Sequence, residues 1–73
     1  MAEVVIEFGV HSSDTPRGFA VHSLTDAVES AEAMWRENQG PITVVIDLMV
    51  IRYGRILSQR SVYWFERNTA WPG

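Results

Sequence analysis

At 73 residues, with 47% hydrophobic and 21% charged content and a net charge of −3, the chain has room for one domain (residues 1–73) and one modest core. Its composition excludes whole-chain disorder, and the absence of Cys excludes a disulfide framework or a thiolate metal centre. The longest aliphatic run, Leu48-Met49-Val50-Ile51, is far short of the roughly 18–20 residues of a membrane span.

Residues Val4, Ile6, Phe8 and Val10 alternate with Glu3, Val5, Glu7 and Gly9, and this period of two predicts a strand over about 3–10. The turn formers from His11 to Gly18 predict a loop, and Phe19–His22 a short strand returning beside the first. Ser23 with Asp26 approximates a capping box. Leu24, Ala27, Val28, Ala31, Met34 and Trp35 follow at helical spacing, which predicts an amphipathic helix over about 24–38. Asn38-Gln39-Gly40-Pro41 stops it, with Gly40 suited to a left-handed cap. The β-branched stretch Ile42–Arg52 predicts a long strand, Tyr53-Gly54 a two-residue turn, and residues 55–66 the return strand. An unbroken ladder from that turn sets Arg52 against Arg55, Ile51 against Ile56, Asp47 against Arg60 and Ile42 against Phe65. A break near Ser58–Ser61 would instead make Val62–Arg67 a fifth strand, and the tail from Asn68 onward has no pattern. The expected fold is α+β: elements β-β-α-β-β, a four-stranded, mainly antiparallel sheet, and one helix packed on one face.

Such a chain buries only about 60% of its unfolded surface, and its core supplies about 3–5 kcal/mol. Association with another chain is the natural supplement. The opening Met1-Ala2-Glu3 has neither a basic n-region nor an apolar h-region, so no signal peptide is expected and the cytoplasm is the expected compartment.

No Gly-rich phosphate loop, nucleophile elbow, zinc-helix motif or calcium loop is present. His11, Ser12, Ser13 and Asp14 hold the residue types of a hydrolytic triad, but contiguous loop residues rarely set a His between the other two, and a side-chain-stabilised turn is the simpler account. His11, His22 and Asp14 lack any spacing that enforces a metal site. No catalytic residue, metal or cofactor is therefore assigned.

Charge is uneven. Residues 1–38 carry seven acids and two Arg, for −5; residues 39–73 carry two acids and four Arg, for +2. The basic half concentrates Arg52, Arg55, Arg60 and Arg67 among Tyr53, Tyr63 and Trp64, the residue types enriched in binding hot spots. These seven form the first candidate partner surface. Asp26, Glu29, Glu32 and Glu37 on the outer helix face form the second. Strand 42–52 is apolar on both faces, with Val45, Met49 and Ile51 opposite the set led by Ile42 and Val44. Only one face can meet the helix, so the other is expected to lie bare for a partner.

The run HSLTDAVESAEAMWRENQGPITVVID resembles small proteins of phages and mobile elements, including some anti-CRISPR proteins. A strand end leads into a Leu-Thr-x-Ala helix with Ala repeats, a Gly stop, and a hairpin ending in aromatic residues. The resemblance spans residues 19–65 in topology and pattern. It implies a non-enzymatic inhibitor or regulator that blocks a host protein or a nucleic-acid-processing complex by stoichiometric binding in the host cytoplasm, with no catalytic residue to carry over. The alternatives are a nucleic-acid-binding regulator using the Arg and aromatic hairpin, against which the net charge argues, and a structural homodimer subunit.

Overall fold

The computed structural model describes residues 3–68. Its elements are β1 (Val4–Ser12), β2 (Phe19–Val21), α1 (Leu24–Glu37), β3 (Ile42–Arg52) and β4 (Arg55–Arg67). The fold is α+β, as expected: an antiparallel sheet in the order β2-β1-β3-β4 with α1 packed on one face. β1 lies inside the sheet, paired with β3 from Val4↔Arg52 to Ser12↔Val44. His11 and Ser12 therefore extend β1 rather than open the loop. The chain turns immediately afterwards, because the Ser12 hydroxyl accepts the amides of Asp14 at 3.2 Å and Thr15 at 2.9 Å.

α1 starts where the sequence predicts. The Ser23 hydroxyl accepts the Asp26 amide at 3.1 Å, satisfying one of the first-turn donors that a helix leaves unpaired. Ala27 and Ala31 are buried against the sheet, and their small side chains let the helix axis come close. Its end differs from expectation. Asn38 caps it in an extended conformation, and among the described glycines positive φ is confined to Gly18 and Gly54. Gly18 needs that freedom: a Cβ there would lie 2.0 Å from the Val10 carbonyl oxygen, so only Gly lets β2 begin alongside β1.

The core consists of Val10, Ala27, Ala31, Ile42, Val44 and Ile46, with Phe8, Val28, Trp35 and Val62 packed partly against it. All of it lies at the α1 end of the sheet. A helix of 14 residues is about 21 Å long, whereas the 11 and 13 residues of β3 and β4 run about 36 and 43 Å. The far ends of β1, β3 and β4 therefore project beyond the helix as an uncovered arm. The molecule measures 53 × 17 × 16 Å. Its radius of gyration, 13.7 Å, exceeds the ~11 Å expected of a compact chain this long.

β4 is one continuous strand, so residues 62–67 are not a fifth one. It carries two register shifts against β3. The turn pairs Arg52↔Arg55 and Ile51↔Ile56 are as expected, but Leu57 is an extra residue before Val50↔Ser58 and Val62 another before Ile46↔Tyr63. Asp47 consequently faces Ser61, and Ile42 faces Arg67, in place of the expected Arg60 and Phe65. Each bulge slips the ladder by one residue.

Candidate interaction surface on the sheet

Strand alternation sorts the seven hairpin candidates into distinct places. Arg52 pairs with Arg55, and Arg60 with Leu48. All three share the parity of buried Ile46, so they lie on the helix side of the sheet, Arg52 and Arg55 at the hairpin turn and Arg60 in the row of Phe8 and Val21. Val4, Ile6 and Val50 share that side through Val4↔Arg52 and Ile6↔Val50. Tyr53 occupies the turn with φ of 53°, a left-handed conformation that costs a non-Gly residue about 1–2 kcal/mol. It is 75% exposed, and the Arg52 guanidinium sits 5.3 Å from its ring centre. Tyr63 and Trp64 point to opposite sides of β4 and are both exposed.

Arg67 is occupied elsewhere. Its Nε donates to the Gly40 carbonyl at 3.0 Å, and its terminal nitrogens donate to the carbonyls of Trp35 and Asn38. The guanidinium also lies 4.4 Å from the Trp35 ring centre. This arginine closes the carbonyl end of α1, the task expected of Gly40, and ties β4 to the helix. Arg67→Ala is expected to lower stability by about 2 kcal/mol. Arg67→Lys should recover only part of the loss, because an ammonium cannot span three carbonyls; urea denaturation of both variants measures this.

Asp26, Glu29, Glu32 and Glu37 are all exposed on the outer side of α1. Glu32 meets Arg36 at 3.5 Å, an exposed pair of small energetic weight. Between α1 and β4, Ala31, Trp35 and Phe65 line an apolar groove of about 190 Å³ with Glu32 at its rim.

The reverse face of the sheet differs from the bare apolar surface expected there. Asp47 stands in its middle, only 6% exposed, accepting from Ser61 Oγ at 2.9 Å, Gln59 Nε2 at 3.0 Å and His11 Nε2 at 3.1 Å. Met49 is 9% exposed and lies against Gly9. Val45 and Ile51 are half-buried, yet no second layer covers them among the described residues. Burial pushes the Asp47 pKa up. The hydrogen bonds from Gln59, Ser61 and His11, with the His11 charge, outweigh it and hold the carboxyl below its ordinary value. As an ionised carboxylate only accepts, His11 Nε2 must carry the proton. Sequence reasoning missed this cluster, although a single acid inside a β-branched strand signals it.

Asp47 is the hub, bonded separately to His11 and Ser61. A hydrolytic triad requires the His in that central place. Ser12 is taken up by its own turn, Asp14 is bonded by the Asn38 amide, and His22 lies 3.8 Å from Glu7. Among the described residues, no three His, Asp or Glu side chains are grouped to hold a metal ion, and no helix is long and apolar enough to cross a membrane.

No protein-family model, curated protein or solved structure matches the chain. The geometry alone therefore ranks the surfaces. The arm exposes more than half of Val4 and Ile6 on the helix side, of Ile56 on the reverse side and of Leu57 at the bulge, while Trp64, 65% exposed, lies opposite Val45. Arg52, Arg55 and Arg60 share the helix side with Val4 and Ile6.

Proposed function

We propose that the chain is a non-enzymatic binding protein, an inhibitor or regulator of the phage type that blocks a host protein stoichiometrically in the cytoplasm. Its contact surface is the arm. The observation that carries this reading is the concentration of exposed apolar and Arg residues beyond the reach of α1. Large apolar patches on a monomer commonly mark interaction sites, and Arg and Tyr are frequent binding anchors.

The test is quantitative capture of proteins from host lysate by wild type and by the double variant Arg55→Glu/Arg60→Glu. Both side chains are exposed and lie outside the core, so at a dilution that keeps the chain monomeric the circular dichroism melt should stay within about 0.5 kcal/mol of wild type. Recovery of the captured protein should fall at least about tenfold, since reversed charges oppose the partner's complementary field. Unchanged recovery would place the contact elsewhere.

Three arginines on one face also favour a second reading, a nucleic-acid-binding regulator. Neutralising three phosphates would weaken binding to mixed-sequence duplex DNA about 40-fold between about 50 and 200 mM salt. Absence of salt-dependent binding in the same series removes that alternative.

A further inference from the structure

We infer that the helix-side face of the arm is covered by a second copy of this chain, in a two-fold antiparallel dimer where each arm lies across the acidic outer face of the partner's α1. The inference rests on the reading of the arm as a docking surface and names the occupant of one of its faces.

Surface area supplies the first argument. A folded monomer of 8.3 kDa should expose about 4,600 Å², whereas this chain exposes 5288 Å². The larger surface goes with the elongated outline, 53 × 17 × 16 Å, in which the arm is left without a covering layer among the described residues.

Charge supplies the second. Arg52, Arg55 and Arg60 border the apolar stripe on this face of the arm, and Arg55 and Arg60 have no ion pair among the described residues. Glu29 and Glu32 are exposed on α1, and the one ion pair either makes among the described residues is Glu32 with Arg36 on the same helix. Within one protomer the two sets make no ion pair among the described residues. Two protomers laid antiparallel satisfy both at once, arm to helix and helix to arm, which is the reciprocal pattern of a two-fold interface.

Shape supplies the third. The groove formed by Ala31, Trp35 and Phe65 is apolar and has Glu32 at its rim. It can receive an aliphatic side chain from the arm while a neighbouring Arg meets the carboxylate. A nucleic acid would be repelled by the acidic face of α1, whereas a second copy carries both halves of the charge and shape complementarity.

Sedimentation equilibrium over a concentration series up to about 100 µM, in dilute salt, tests the inference. Wild type should sediment at twice 8.3 kDa. Glu29→Arg/Glu32→Arg and Arg55→Glu/Arg60→Glu should each raise the dimer dissociation constant at least about 100-fold, because every changed contact occurs twice. The variant carrying all four changes should dimerise again, which a merely misfolded chain would not do. A wild-type monomer throughout, or a dimer indifferent to both reversals, overturns the inference. Either result leaves the host-binding reading to be judged by lysate capture. A charge-dependent dimer that captures no host protein upholds the inference and removes that reading.

Discussion

Asp47→Ala is expected to lower the unfolding free energy by about 2 kcal/mol, because three hydrogen bonds to one buried carboxylate are lost, while Gln59 and Ser61, being exposed, turn to water instead. Against a total of about 3–5 kcal/mol, the variant should be largely unfolded at the temperature where wild type begins to melt. Asp47→Asn should lose less, since its amide oxygen still accepts while its nitrogen opposes the Gln59 donor. The wild-type contribution also has a pH signature. The folded carboxyl titrates below its unfolded value of about 4, so the unfolded chain takes up the proton first as pH falls. The stabilisation is present in full above about pH 4 and drains away as pH falls through the lower folded value. Urea midpoints measured from pH 7 to pH 2.5 should therefore fall less steeply in Asp47→Asn than in wild type; parallel acid limbs would contradict this account.

Ile46→Ala should cost about 3–4 kcal/mol, comparable to the whole stability of the chain. Ile46 is fully buried, and its neighbours across the sheet are Val10 on β1 and Tyr63 on β4. With so few buried side chains, little can shift to fill the cavity. Ile46→Val, which removes one methylene, should cost only about 0.5–1.5 kcal/mol. Chemical denaturation at matched protein concentration distinguishes the two, since an associating chain gains apparent stability with concentration. Equal midpoints for Ile46→Ala and wild type would show that the core does not lie where α1 meets β3.

The helix was the most legible element, because its signals are local. Ser23 and Asp26 mark its start, and the spacing of Ala27 and Ala31 marks the buried face. The turn at Tyr53-Gly54 was equally readable through Gly54, despite the Tyr. What escaped the sequence is non-local. Placing β1 against β3 depends on residues some 40 positions apart, which no window of sequence reports. The bulges at Leu57 and Val62 have no residue signature, yet they move every pairing beyond them. Asp47 was assigned to Arg60 on an unbroken ladder; with the bulges in place it faces Ser61, and Arg60 is released to the other side. Residue type alone thus marks most of the candidate surface, while its division between two faces and the capture of Arg67 by the helix end follow from the bulges and from contacts distant in the chain.

The same bulges govern the outer edge of β4, which has no neighbouring strand among the described residues. An unbroken edge of 13 residues would be a template on which chain after chain could stack. Here the rhythm of donors and acceptors stumbles twice, so a visiting strand that starts in step at one stretch is out of step at the next. Growth into fibrils is discouraged at the rim, and recognition is left to the broad sides of the blade, where contour and electrical sign choose the guest.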